Sequence, residues 1–483
     1  MFSGGLTRGR CRSSMERFMK KTSLLLRTLL VLTTMASVLV PAFTRPARAI
    51  TVPTTLARSM TRIGAAGTSF SFPATHVAFS WTGAEGTGVR YRTVDTKGLA
   101  SAWRLAPESH DMEHGDHHYS GVLAVDRPES VEWKPVTPED LEMGEVTVDY
   151  LNTMDGPRRR IEIPATASAA ATDPDVITRA QWGADESIKK TSGGCRRLFY
   201  PVQQLFVHHT VGINNDPHPR ATMRSMYYFH TVRRGWCDLG YNFVISPDGY
   251  VFEGRWSRRF SPWEIHDSEN ADDEAVQGAH TSGYNSGSVA VSLMGNYSTT
   301  KMTPAMRNSL VNFLAWEADR HNLPPKGRHT YVNPATGLTR RLPYIAGHRD
   351  AGQTECPGNN VYKGLPKLRD QVRTLIGVGK LRTRTTLRSV PPVLPTDDTA
   401  TFAGRLRTGG GKPVAGRTIL AHIKPKGQPW RHVPVATTET DGTYSFTLTP
   451  QRDVIVVAEF EGDVTLWRSQ SKRVAYDVTP ARR

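Results

Sequence analysis

Residues 175–375 alternate between two hydrophobic periodicities, and this alternation limits the possible folds more than any other feature of the chain. Short apolar or alternating runs are typical of strands, whereas a 3.6-residue apolar stripe is typical of a helix. Four strands are predicted at Gln204–His208, Phe243–Ser246, Tyr250–Glu253 and Val289–Met294. Helices are predicted at Arg220–Val232, from Thr303-Pro304 onwards, and at Tyr362–Leu375. Strands interleaved with helices predict an α/β domain with a mixed sheet and flanking helices.

The regions on both sides of this domain show strand periodicity alone. In residues 65–160, bulky residues occupy every second position at Phe70–Phe72, Val77–Trp81, Val89–Thr93 and Val146–Tyr150. In residues 398–483, strands are predicted at Thr401–Leu406, Thr418–Ile423, Thr443–Leu448 and Val454–Phe460, with a tight turn at Asp441-Gly442. We therefore expect two all-β, sandwich-like flanking domains. The second one resembles small immunoglobulin-like or prealbumin-like sandwiches.

Two segments of low complexity are predicted to be linkers. Residues 161–174 include PATASAAATDP, and residues 378–397 are rich in proline and threonine. The predicted organisation is a signal peptide at 1–49, a β-rich domain at 65–160, an α/β domain at 175–377 and a β-sandwich at 398–483.

The N-terminus has the order of a secretory signal: basic residues, an apolar run from Leu29 to Val40, and the small-x-small site Ala47-Arg-Ala49. The alternative is a membrane anchor, but the apolar run is short for a bilayer span. We expect a monomer that is secreted or located in the cell wall, with no stable membrane span after cleavage.

Charge gives a mild indication of the partner. The chain has 61 basic and 45 acidic side chains, and nine and one of these lie in residues 1–49, so cleavage would leave a net charge of +8. This bias suits a polyanionic surface such as a bacterial wall. No basic cluster with interleaved aromatic residues is found, so nucleic acid is not expected as a partner.

Three cysteines remain after Cys11 is removed with the signal segment. An odd number in an exported protein predicts that one thiol is not in a disulfide. The oxidising destination favours a Cys195–Cys237 bridge, which leaves Cys356 for other chemistry. The alternative is three buried thiols without a bridge.

Histidines and a cysteine in the α/β domain have the composition of a metal site. Two histidines end an apolar strand at His208-His209, His348 follows a glycine, and Cys356 comes eight residues later. Zinc accepts imidazole nitrogen and thiolate sulfur, and a catalytic zinc keeps three protein ligands and one open position. A strand sends His208 and His209 to opposite faces, so only one of them is expected to bind the ion.

Seven short sequence stretches between about Asp175 and Gly377 resemble one known family. They are Val176–Ala184, Val207–Thr210, Trp236–Ile245, Asp248–Arg255, Gly278–His280, Val289–Asn296, and Gly347–Asp350 with Thr354–Gly358. The family is that of the peptidoglycan recognition proteins and type-2 N-acetylmuramoyl-L-alanine amidases. The resemblance implies one zinc ion held by His208, His348 and Cys356.

The same resemblance implies roles around the ion. Tyr241 would hold the substrate carbonyl or a water, and Thr354 would help to steady a developing negative oxygen; the alternative for Tyr241 is a core tyrosine. His280 and Asn296 are assigned to substrate binding, although His280 is equally consistent with a hydrogen-bonded loop. Thr354 stands where phage-type enzymes carry lysine, and Asn242 stands where some carry histidine.

The resemblance thus implies a secreted zinc amidase that cuts the amide between the lactyl group of N-acetylmuramic acid and L-alanine in peptidoglycan. Family members that bind without cutting typically lack the cysteine, so Cys356 favours an enzyme. The alternative on the same fold is a non-catalytic peptidoglycan receptor. Two further alternatives are a zinc peptidase that cuts within the stem peptide and a structural wall protein.

Overall fold

The computed structural model describes residues 48–109, 115–138, 141–163, 174–260, 265–376, 381–390, 393–395, 399–428, 431–463 and 465–479. The predicted signal peptide, 1–49, lies almost entirely outside the described residues, as does most of the first predicted linker. Among the described helices, none combines the length and the apolar character that crossing a bilayer requires.

The described residues before the central domain form strands. They are β1 (Arg48–Pro53), β2 (Leu56–Ile63), β3 (Ala66–Ser69), β4 (His76–Gly83), β5 (Gly88–Val94), β6 (Arg104–Leu105), β7 (His117–Tyr119), β8 (Leu123–Ala124), β9 (Ser130–Val136), β10 (Met143–Asn152) and β11 (Arg158–Ile163). One sheet has the order β2-β10-β4-β7, with β8 also beside β4, and another has the order β3-β9-β5-β6. Phe79, Tyr91 and Trp133 come from both sheets and share one core.

Three details here differ from the prediction. Phe70–Phe72 is not a strand: it follows β3, and both rings pack on Tyr150, with centroids 4.7 and 5.1 Å away. Their alternate spacing therefore reflects two rings on one aromatic neighbour. Strand β2 precedes residue 65 and is mostly exposed, which leaves little hydrophobic pattern to detect. Residues 161–163, assigned to a linker, belong to β11, which pairs with β1.

The central region contains strands and helices in alternation. Its strands are β12 (Val176–Ile177), β13 (Phe199–Pro201), β14 (Gln204–His209), β15 (Phe243–Ile245), β16 (Val251–Glu253), β17 (Glu274–Val276), β18 (Ser288–Leu293), β19 (Arg328–Val332), β20 (Thr339–Pro343) and β21 (Ile345–Gly347). Its helices are α1 (Arg179–Trp182), α2 (Pro219–Tyr228), α3 (Pro304–Arg320) and α4 (Asn359–Ile376). The six-stranded sheet has the order β12-β16-β15-β18-β14-β21. The predicted α/β fold of this region is confirmed.

Both faces of the central sheet are covered. One core lies under α3 and α4 and includes Val207, Leu310 and Leu368. The other lies under α2 and includes Met223 and Phe252. β14 and β18 are buried at all six positions, as parallel strands between two layers are.

The N-terminal sheets pack directly on the central domain. Ala78 and Val122 belong to the core under α2. A Cβ atom on Gly121 would stand 2.7 Å from the carbonyl oxygen of Thr210, and one on Gly212 would stand 3.0 Å from that of Val122. The two glycines therefore permit the segment around Gly121 to touch the loop that follows β14.

The C-terminal region is again made of strands. They are β22 (Thr383–Val390), β23 (Val393–Pro395), β24 (Ala400–Thr408), β25 (Thr418–Pro425), β26 (Arg431–Thr437), β27 (Thr443–Leu448), β28 (Val454–Phe460), β29 (Ser469–Gln470) and β30 (Val474–Thr479). One sheet has the order β22-β24-β27 and the other the order β23-β30-β28-β25-β26, with β29 also beside β28. Phe402 and Val456 lie in the shared core. An immunoglobulin-like or prealbumin-like topology stays a prediction.

The predicted linker at 378–397 is wrong for residues 393–395, which form β23 beside β30, and for residues 383–390. Residues 383–390 form β22, which pairs with β24 along its whole length. The segment TRTTLRSV is polar and precedes Pro391-Pro392, so it lacks the apolar alternation of a strand. Its threonines are nevertheless β-branched and suit an outer strand.

Helix α3 starts at a capping side chain, and this start supports a direct test. The hydroxyl of Thr303 accepts a hydrogen bond from the backbone N–H of Met306 at 3.1 Å, and Pro304 is the first helical residue. Thr303→Ala should lower the free energy of unfolding by about 1 kcal/mol, because an N–H at the helix start loses its partner. Thr303→Ser should retain most of the stability. Urea unfolding followed by circular dichroism checks this, and equal losses in both variants would contradict it.

Candidate active site

Two parallel strands bring two histidines to one edge of the central sheet. β14 ends in His208 and His209, and His348 follows β21 directly. The strands pair in parallel with Val207 opposite Gly347, so His208 and His348 come next to each other, with ring centroids 4.7 Å apart. Sites commonly gather at the carboxyl edge of such strands, where loops diverge.

A loop adds a sulfur atom to the two histidines. Cys356 lies between the turn His348–Asp350 and α4, and its Sγ is 3.5 Å from Nδ1 of His208. The backbone N–H of His209 donates to the same sulfur at 3.4 Å. Ligand atoms of His208, His348 and Cys356 all lie within 4.8 Å of one another, and all three residues are buried. This set of two nitrogens and one sulfur can hold a metal ion.

The surroundings of His208 favour the neutral form of its imidazole. The pKa of the His208 imidazole is held well below its usual range. Burial is the main cause, and the neighbouring His348 and His280 lower the pKa further. A neutral imidazole offers a nitrogen lone pair, which metal binding requires.

A hydroxyl fixes the orientation of the His208 ring. Oγ1 of Thr281 lies 3.3 Å from Nε2 of His208, while Nδ1 faces Cys356. The same hydroxyl lies 3.0 Å from Nδ1 of His280. His280 is fully buried, with its ring 5.1 Å from that of His208. His280 therefore lies against His208, and its predicted contact with a substrate stays a prediction.

The two predicted catalytic residues lie beside the cluster. The ring of Tyr241 is buried with its centroid 5.5 Å from that of His208. The hydroxyl of Thr354 accepts a hydrogen bond from the backbone N–H of Cys356 at 3.0 Å. Their roles in a reaction stay predictions, although the position of Thr354 gives it a structural task in the Cys356 loop.

Asn296 lies in the loop after β18, at the same edge of the sheet. Its backbone N–H donates to the Asn214 side chain at 2.8 Å, and its carbonyl accepts from that side chain at 2.9 Å. The Asn296 Oδ1 atom accepts from the backbone N–H of Ser298 at 3.0 Å. These contacts join two loops near the cluster, and the predicted contact with a substrate stays a prediction.

Comparisons with known proteins match the region that contains this cluster. The protein-family model described as N-acetylmuramoyl-L-alanine amidase matches residues 198–359, which include all three residues of the cluster. Peptidoglycan-recognition protein SC2 of Drosophila melanogaster is 31% identical over 195 residues, which are 39% of this chain and 84% of that protein. Peptidoglycan recognition protein 1 of Bos taurus is 31% identical over 199 residues, covering 40% and 84%. The chain belongs to the family of peptidoglycan recognition proteins and type-2 amidases.

A longer protein and a solved structure are also similar to part of this chain. The N-acetylmuramoyl-L-alanine amidase of Homo sapiens is 31% identical over 194 residues, which are 39% of this chain and 27% of that protein. The solved structure of wild-type Drosophila PGRP-LB is 25% identical, with a TM-score of 0.30, and the match covers 40% of this chain and 93% of that one. The family resemblance predicted from the sequence is confirmed.

Sequence reasoning missed two residues that shape the site of this family member. Thr281 follows the Gly278-Ala-His280 stretch directly, so that stretch could have drawn attention to it. His230 accepts a hydrogen bond from the backbone N–H of Gly240 at 3.2 Å, and its ring centroid is 6.0 Å from that of Tyr241. No periodicity or motif indicates this role.

A second group of possible ligands forms an ion-pair network. His321 lies 2.7 Å from Glu269 and 3.3 Å from Glu317, and Arg320 lies 2.6 Å from Glu269. Burial lowers the pKa of His321, but the hydrogen bonds and charges of the two glutamates outweigh it and raise that pKa to about 9. Two cations, His321 and Arg320, thus face the buried Glu269 and Glu317, and Arg320 also pairs with Asp267 at 3.2 Å.

A disulfide joins the segment that precedes Tyr241 to an earlier turn of the chain. Cys195, at the end of the turn Gly193–Cys195, is bonded to Cys237, which precedes Tyr241 by four residues. Cys356 is buried and outside this bond.

The disulfide should contribute to the stability of this family member. It closes a loop with a sequence separation of 42, so Cys195→Ser with Cys237→Ser should lower the free energy of unfolding by about 2–4 kcal/mol. Guanidinium unfolding of the metal-free protein with and without dithiothreitol measures this. Reductant should destabilise the parent protein to the level of the double variant and leave the variant itself unchanged; a reductant effect on the variant would contradict the assignment.

Proposed function

We propose that this protein is a secreted, zinc-dependent N-acetylmuramoyl-L-alanine amidase. Its substrate is the amide between the lactyl group of N-acetylmuramic acid and the L-alanine of peptidoglycan. The observation that carries the proposal is the buried cluster of His208, His348 and Cys356 in a member of a family with amidase-named relatives.

The cluster fits zinc by donor chemistry and spacing. With zinc–nitrogen bonds of about 2.0–2.1 Å and a zinc–sulfur bond of about 2.3 Å, a tetrahedral ion holds its nitrogen and sulfur ligands about 3.6 Å apart. The Nδ1 atom of His208 and the Sγ atom of Cys356 are 3.5 Å apart. Three protein ligands leave one of the four positions open for a reacting molecule.

The chain's own residues would prepare the site for hydrolysis. When bound, zinc supplies Lewis acidity, which polarises a carbonyl and acidifies water. The N–H of His209 favours the thiolate form of Cys356, and Thr281 orients His208. We assign Tyr241 to steadying the substrate carbonyl through its hydroxyl, and Thr354 to shaping the Cys356 loop and assisting the developing oxyanion.

The organisation around the site follows from the same proposal. We propose that residues 1–49 direct export, that residues 175–377 form the amidase domain, and that the strand-rich regions on either side position it on the wall. The mature protein would act as a monomer at the cell wall or in the secreted fraction, with bacterial peptidoglycan as its partner.

The activity can be tested on purified peptidoglycan by mass spectrometry of the released products. The zinc-loaded protein should release intact stem peptides that begin with L-alanine, a chelator should stop the release, and added zinc should restore it. Free amino acids or shortened stems would indicate a peptidase instead. Folded, zinc-loaded protein that binds the wall and releases nothing would indicate a receptor and contradict the proposal.

Removal of one ligand should abolish both zinc retention and activity. Cys356→Ser should reduce zinc affinity and product release by more than about 100-fold, because even residues behind the ligands typically contribute 10- to 100-fold. His117→Ala is the matched control, since His117 is an exposed histidine away from the cluster. Metal content by mass spectrometry and release of stem peptides are measured together. Full zinc retention in Cys356→Ser would remove the cysteine from the ligand set.

Thr281 should act as a positioning residue. Thr281→Val keeps the shape of the side chain but loses the hydrogen bond to Nε2 of His208, and it should weaken zinc binding about 10- to 100-fold. Thr281→Ser should keep the hydroxyl and nearly the parent affinity. Competition with a chromogenic chelator measures this independently of catalysis. Equal affinities for the valine and serine variants would contradict the assignment.

A further inference from the structure

A cavity of about 320 Å³ lies between the central domain and the C-terminal strands. One wall is the β19–β20 ribbon, and the other comes from the start of β22 and the segment 467–472. Six of the residues that line it are cationic: Arg328, Arg341, Arg382, Arg384, Arg468 and Lys472. No aspartate or glutamate is among the described lining residues.

One of these six cations is already used by the fold. Arg468 is buried, donates to Glu459 at 2.8 Å, and also donates to the carbonyl of Val202 in the central domain at 2.5 Å. These bonds join the C-terminal strands to the central domain, so the cavity has fixed walls. Glu459 balances the charge of Arg468. Arg468 is therefore not counted in the excess positive charge of the cavity.

The other five cations are exposed, and none pairs with a carboxylate in the described part of the chain. Surface arginines are commonly neutralised in part by acidic neighbours, whereas here the like charges face one recess without compensation. Such an arrangement lowers the free energy of an anion there and raises its local concentration.

Strand geometry places these side chains in pairs that share a face. Thr330 lies directly across the ribbon from Arg341, so Thr330, Arg341 and Arg328 occupy one face. Arg382 immediately precedes β22 and Arg384 lies within it, two positions further on, so the two side chains are expected on the same face. An anion in the cavity would meet two arginines from each wall.

We propose that this cavity binds the phosphate groups of a polyol-phosphate chain. A tetrahedral phosphate can accept hydrogen bonds from both walls at once, whereas a planar carboxylate is satisfied by one guanidinium fork. The aromatic residues of the cavity, Tyr344 and Trp467, are buried, so they neither stack on nucleic-acid bases nor insert into a membrane interface.

The experiment measures binding to the purified protein at about 0.15 M salt by calorimetry, with soluble poly(glycerol phosphate) as the probe and inorganic phosphate as its minimal form. Arg341→Gln with Arg384→Gln removes one cation from each wall. Arg62→Gln with Lys97→Gln is the matched control, because it removes the same charge from exposed positions outside the cavity. Thermal unfolding verifies that both double variants are folded.

The cavity variant should bind poly(glycerol phosphate) at least about tenfold more weakly than the parent, and the control variant should change the affinity less than threefold. Phosphate should also protect the parent against thermal unfolding more than it protects the cavity variant. Equal weakening by the control variant, or no binding of either phosphate probe, overturns the proposal. Poly-glutamate, an oligothymidylate or phosphatidylglycerol vesicles binding as tightly as poly(glycerol phosphate) overturns it as well. None of these measurements depends on amidase activity.

Discussion

The parallel pairing of β14 with β21 is the constraint on which the site depends. Its register places Val207 opposite Gly347. The residues that follow, His208 and His348, therefore lie next to each other. Both strands are buried, so the register is set by the apolar packing of the sheet between two helical layers. A slip of one residue would send His208 to the other face and separate it from Cys356.

The cluster also shows how burial and chemistry work together. Burial alone makes charged imidazole unfavourable, and the resulting neutral His208 is the form that coordinates a cation. The sulfur of Cys356 meets a backbone N–H in a place from which water is largely excluded. Buried polar atoms destabilise a fold unless they have a partner. A metal ion would be a partner for the ligand atoms of His208, His348 and Cys356 at once.

The sequence predicted the features that local patterns encode. The apolar run of β14, the proline start of α3 and the family-like stretches identified the central fold and the residues His208, His348 and Cys356. Features that arise only when distant segments meet were not accessible: Thr281 against His208, Glu269 against His321, and Arg468 against Val202. Polar edge strands such as β22 were also missed, because exposed threonine and arginine carry no hydrophobic period.

The glycine contact between the N-terminal sheets and the central domain has a consequence for how this chain is built. Gly121 leaves no room for a side chain beside Thr210, which lies two residues beyond His208. The leading β-rich region is thus part of the scaffold that fixes the loop at the mouth of the cluster. Excising it would remove Ala78 and Val122 from the core under α2 and deprive that loop of its support, so the region cannot be regarded as a detachable accessory module.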